Sequence, residues 1–222
     1  MIKSTFLILM LSFGLSAQEH RNVLEQLIAV CISGTNEECD SVIHGNTEKR
    51  ATLHLVLNAK TKNDEFEKLY ISNFGDDRYK KFQEAISVSI QPLDIDTYTI
   101  LDSSKEHAVF TNQNGEKITI INDLGVWKID LNNSAFFGSD DSQYRFIKLI
   151  AASSVKLSEK IKSGASEKDV FRKAGLYSMV IILPFTSGEQ KNNIENMLKE
   201  HGVDGQSLTS ELEAVNLNSQ PF

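Results

Sequence analysis

Cys31 and Cys39, the only two cysteines, lie eight residues apart and offer two chemistries. One is a disulfide; the other adds His44 to make a zinc site. The spacing matches no common zinc-ligand pattern and no fourth ligand is evident, so a disulfide is expected. The segment between them, Ser33-Gly-Thr-Asn-Glu-Glu-Cys39-Asp, reads as a polar loop that folds back. Such a loop can bring the two Cα atoms within the roughly 4.4 to 6.8 Å that a disulfide needs. A staple of this size contributes about 2 to 3 kcal/mol in the chain-entropy account.

The remaining reactive side chains are scattered. Asp94 and Asp96 would share one face of a strand, where two carboxylates can hold a cation or act as an acid/base pair; the plainer reading is a solvated strand start after Pro92. Glu106-His107 stands at the start of another strand and reads equally as surface. The five histidines, His20, His44, His54, His107 and His201, are dispersed and read as solvated or hydrogen-bonded structural residues. No nucleophile elbow, His-Glu-x-x-His, phosphate-binding glycine loop, Cys-x-x-Cys or calcium loop occurs. No catalytic residue, metal ligand or cofactor is therefore expected.

The N-terminus determines the compartment. Lys3 supplies a positive start, Phe6 to Leu15 an apolar run of ten residues, and Leu15-Ser16-Ala17 a small-residue cleavage site before Gln18. Residues 1–17 read as a secretory signal peptide, too short to span a bilayer. Without a cysteine after the site, a lipoprotein anchor is not expected. Export suits the disulfide and implies a periplasmic or secreted protein with no transmembrane segment after cleavage.

Several helices must position these side chains. Val23, Leu24, Leu27, Ile28 and Cys31 recur at helical spacing before Gly34. Asn46 to Ala59 fits a strand or a helix and is read as a helix. Asp64 can cap a short helix with Phe66, Leu69 and Tyr70, and Asp76 or Asp77 can open another with Tyr79 and Phe82.

From Ile95 the period becomes two. Asn114-Gly115 between alternating segments predicts a two-residue type I′ hairpin, and Asn122-Asp-Leu-Gly125 a type I turn with a G1 bulge. Residues 95–131 thus form a four-stranded antiparallel meander. Pairing Gln113 with Glu116 and Asn122 with Val126 puts Ala108, Phe110, Thr119, Ile121, Trp127, Ile129 and Leu131 on the core face. The opposite face then holds Val109, Ile118, Ile120 and Val126. That is too apolar for open solvent, so the C-terminal third, a second copy in a homodimer or another partner would cover it.

Gly138-Ser-Asp-Asp-Ser142 reads as a junction. Beyond it, Phe146 to Ile161 forms a long amphipathic helix, and Ser166 caps a short one. Leu176 to Leu183 fits a buried helix or a buried strand. Ser187-Gly-Glu-Gln190 reads as a capping box, and a last helix spans Leu208 to Val215. The fold class is α+β. N-terminal helices pack on a curved antiparallel sheet of four or more strands in residues 18–137, and residues 138–222 add a mainly helical extension.

Helices followed by a meander ending in Gly125-Val-Trp-Lys-Ile-Asp130 resemble the cone-shaped nuclear transport factor two-like superfamily over residues 18–133. That resemblance implies an apolar pocket between helices and sheet. Tyr98, Phe110 and Trp127 would line it, with Tyr98 as the polar handle, or would simply fill the core. Some members are isomerases or dehydratases and many are non-catalytic modules. No motif carries a catalytic residue onto this chain.

The formal net charge of -7, with no cluster of basic residues, excludes a nucleic-acid binder. The expected function is an exported, non-enzymatic module that engages a protein partner or a small apolar ligand. A pocket enzyme of isomerase, dehydratase or hydrolase type, or a periplasmic immunity or inhibitor protein, is the alternative.

Overall fold

The structure is a computed structural model that describes residues 16–86, 95–134 and 141–217. Asp94, the Gly138-Ser-Asp140 part of the expected junction and the signal segment up to Leu15 lie outside the described residues. The protein is α+β, and its chain divides into two compact units, residues 1–54 with 93–139 and residues 55–92 with 140–222. One boundary falls at the expected junction. Another falls inside a helix and the third after residue 92, so residues 55–92 group with the C-terminal third and not with the sheet.

The first unit opens with α1 (Ala17–Ser33), capped by reciprocal bonds between Ser16 and Glu19. Val23, Leu24, Leu27, Ile28 and Cys31 form its buried stripe. The expected polar loop contains α2 (Asn36–Ser41), because Thr35 and Glu38 build a second capping box inside it. β1 (Ile43–His44), unforeseen at two residues long, is followed by the 28-residue α3 (Thr47–Phe74). Asp64 therefore sits within a continuous helix and does not start a new one.

β2 (Thr99–Ser103), β3 (His107–Thr111), β4 (Lys117–Asp123) and β5 (Val126–Asp130) form the meander. The sheet order is β1-β5-β4-β3-β2, with β1 parallel to β5, so the sheet is mixed, not purely antiparallel.

Both hairpins adopt the turn expected of the other. Asn112 Oδ1 accepts the amides of Asn114 and Glu116, and only Gly115 takes positive φ, at 77°. The result is a three-residue loop with a bulge, and Thr111 faces Lys117. At the second turn Leu124 (φ 53°) and Gly125 (φ 89°) form the two-residue type I′ turn, and Asp123 faces Val126. Each register slips by one residue from the expected one. The two slips cancel at β5 and invert only β4.

Ile118 and Ile120 therefore join Ala108, Phe110, Trp127, Ile129 and Leu131 in the core, all at most 5% exposed. Thr119 and Ile121 turn to the other face, beside Thr111, Lys128 and Asp130. The second face keeps Val109 and Val126 but exchanges Ile118 and Ile120 for Thr119 and Ile121, so it is less apolar than expected from sequence. It also carries a polar network: Asn133 Nδ2 donates to Asp130, the Thr119 hydroxyl to Asn133 O, and the Ser134 hydroxyl to Asp130 O.

The second unit is helical. The second half of α3 is joined by α4 (Asp76–Ala85), α5 (Asp141–Lys162), α6 (Glu167–Ile182), α7 (Gly188–Glu200) and α8 (Gly205–Glu213). Leu176 to Ile182 is helix within α6, which resolves the ambiguous apolar run. Ser187 stands at the N-cap of α7, but its side chain makes no capping bond, so the expected capping box is not formed. Phe66, Tyr70, Tyr79 and Phe82 pack with residues of α5, α6 and α8 in one core. No described helix is long and apolar enough to cross a membrane.

Candidate functional site

The disulfide is present: Cys31 in α1 is bonded to Cys39 in α2, with Cα atoms 4.3 Å apart. His44 is exposed on β1, and no group of three or more His, Cys, Asp or Glu among the described residues is placed to hold a metal. Asp96 is ion-paired with Arg21 at 3.2 Å. That contact ties the start of the meander to α1.

The three aromatic candidates sit on the inner side of the sheet, and each is packed. Tyr98 is 2% exposed, Phe110 1% and Trp127 5%. The Tyr98 hydroxyl donates to Glu116 Oε2 at 3.2 Å. Burial, then the Glu116 charge, pushes the phenol up to about 12. Trp127 meets the edge of the buried His20 ring at 5.2 Å, and the His20 nitrogens lie against the carbonyl oxygens of Ser16 (3.0 Å) and Ser104 (3.2 Å). All three are packed within the core of the sheet unit.

The most chemically suggestive arrangement lies at the turn between β2 and β3. The Ser104 hydroxyl is 2.9 Å from His107 Nδ1, and His107 Nε2 is 3.0 Å from Asp102 Oδ2. The His107 bond, acting before its charge, holds the Asp102 carboxyl below the usual range. Hydroxyl, imidazole and carboxylate in series are the elements of an acyl-transfer relay, here with the imidazole ring reversed relative to the common triad. The surroundings argue otherwise. The amides of Glu106 (3.1 Å) and His107 (3.2 Å) donate to the Ser104 hydroxyl itself, closing the turn, and so do not point where an oxyanion would form. His107 and Asp102 side chains are 40% and 65% exposed, which leaves the series in solvent.

Of these residues the sequence pattern singles out only His107. Ser104 carries only an ordinary turn pattern, a serine placed to cap the amides two and three residues on in Ser104-Lys-Glu-His107, and Asp102 carries none.

The register places this turn beside the one between β4 and β5, since the Asn122 amide donates to Glu106 O at 2.7 Å. Leu124 at the tip of that second turn is fully exposed, and Val126 is 52% exposed. The Lys128 ammonium meets Asp123 at 2.7 Å; this bond, then its charge, holds the Asp123 carboxyl low.

In the helical unit, an open groove of about 820 Å³ is floored by Leu183, Leu198 and Val203. Part of its charged rim is paired: Arg145 bonds Glu213, and Asp204 accepts the Gln206 and Ser207 amides as the cap of α8, while Glu195 and Lys199 also line it. Elsewhere in this unit Tyr177 donates to Glu211 at 2.6 Å, and Lys173 contacts the same carboxylate at 2.8 Å. Burial drives the Tyr177 phenol upward. Burial alone would raise Glu211 too, but the bonds from Lys173 and Tyr177 outweigh it and hold this carboxyl low.

Comparison with protein families, with characterised proteins and with solved structures finds no match to this chain.

Proposed function

We propose that the protein is an exported, non-enzymatic binding module, periplasmic or secreted, whose partner is a protein and not a small apolar ligand. The observation that carries this reading is the burial of the three aromatic candidates in the first unit. Tyr98, Phe110 and Trp127, the residues best suited to a ligand pocket, are no more than 5% exposed and are engaged with Glu116, the sheet core and His20. Recognition then falls to the surface. Export is supported by the sequence of residues 1–17 and by the disulfide. The resemblance to the nuclear transport factor two-like superfamily is supported by the order α1, α2, then β2 to β5; the unit boundary inside α3 departs from it.

Trp127 is the only tryptophan and lies in the core of the sheet unit, so its emission reports an apolar ligand that enters there. Its emission should stay unchanged through titrations with a fatty acid and with a hydrophobic dye. Saturable quenching by either would overturn the reading.

A hydrolase is the second reading, on the Ser104–His107–Asp102 series alone. It requires covalent labelling of Ser104 by a fluorophosphonate probe, read by peptide mass spectrometry. An unlabelled Ser104 peptide ends it.

A further inference from the structure

Leu124 breaks a local rule with no internal return. Among the described residues it is the only non-glycine with positive φ, a backbone state in which asparagine, aspartate and glycine sit with less strain. The backbone state itself has a cause. A two-residue turn is the register that buries Trp127, Ile129 and Leu131, and that turn needs positive φ at both central positions. The choice of leucine has no such cause, because its side chain is fully exposed and packs against nothing among the described residues. Local rules broken without a stabilising gain mark functional positions.

Charge narrows the occupant. The described residues of the first unit carry twelve Asp and Glu against six Lys and Arg, whereas those of the second carry sixteen of each. Nearly all the net charge of -7 thus belongs to the unit that bears Leu124. The neighbouring turn adds Asp102 and Glu106, against the single Lys105, to the same end of the sheet. A membrane is a poor match, since anionic headgroups call for a basic cluster and one leucine buries too little for stable attachment.

We propose that the tip of the β4–β5 hairpin, with Leu124 as anchor and Val126 beside it, inserts into an apolar pocket on a basic protein. The proposal rests on the binding-module reading and adds the contact residue and the partner's charge. Burying a leucine in a pocket is worth about tenfold or more in affinity.

The test immobilises the full chain as wild type, Leu124→Met and Leu124→Asn. Each is exposed to the exported-protein fraction of the producing cell at about 50 mM salt and eluted at about 500 mM. Wild type and L124M should release the same basic protein. L124N should retain it about tenfold less, while its own Tm rises by about 2 to 4 °C as the turn relaxes. The purified partner should show the same ranking in Kd. Equal retention by L124N, or a lowered Tm that makes Leu124 structural, overturns the anchor but leaves the binding module standing. Wild type releasing no basic protein sinks both. Leu124-dependent binding to vesicles of phosphatidylcholine and phosphatidylglycerol, with no protein partner, would replace the pocket by a lipid surface.

Discussion

The two units solve burial differently. The first builds a small core on one face of a sheet, staples α1 to α2 with a disulfide, and holds its turns with side-chain-to-backbone bonds from Asn112, Ser104 and Asn122. The second packs helices around large aromatic rings whose hydroxyls are given to carboxylates: Tyr70 to Glu167 and Tyr177 to Glu211. The first unit carries the acidity and the second is balanced. Size and charge are thus divided between the two units. The helical unit supplies bulk, and the sheet unit presents a charged surface with an exposed apolar tip.

The two units part most visibly in alkali. Tyr70 and Tyr79 are pushed up to about 12, by burial first and then by Glu167 and Glu67 respectively, and Tyr177 is raised further. A phenol that stays protonated in the folded chain but ionises near 10 when unfolded stabilises the fold below pH 10. That stability is lost as pH rises through the folded value. The helical unit holds three such groups and the sheet unit one, Tyr98. Helical circular dichroism should therefore collapse between about pH 10 and 12 before Trp127 emission shifts. The reverse order would contradict the contrast.

Replacing both Cys31 and Cys39 by serine should cost the sheet unit about 2 to 3 kcal/mol, read from the denaturant midpoint of Trp127 emission. Tyr177→Phe should cost the helical unit about 1.5 to 2 kcal/mol in the midpoint of helical circular dichroism, because it removes a donor to a half-buried carboxylate. Smaller still, Asn112→Ala should cost about 1 kcal/mol. It frees Asn114-Gly115 to form the two-residue turn and slip the β3–β4 register, which cross-strand contacts by nuclear magnetic resonance would report.

Much of this architecture was legible in the sequence. The helix stripes of α1 and α5, the meander and the Cys31–Cys39 bond follow from spacing and turn residues. The faces of β4 were not, because Asn-Gly is compatible with two turns one residue apart. The choice between them is made by the Asn112 side chain and by which register buries Ile118 and Ile120 together. β1 is too short to leave a periodic trace, and its position is fixed by pairing with Ile129 and Asp130. The aromatic trio was visible as residues, but pocket and core differ only in whether neighbours such as His20 fill the space. Ser104 and Asp102 leave no distinct signal because a hydroxyl and a carboxylate within five residues of His107 look like an ordinary turn.

The claim that recognition belongs to an acidic surface and not to an interior pocket is tested most directly by native mass spectrometry. The protein would be isolated from its natural compartment at about 50 mM salt and at about 500 mM salt. An added polypeptide mass should be present at low salt and gone at high salt. A small-molecule mass that survives both conditions, or a bare chain in both, would contradict it.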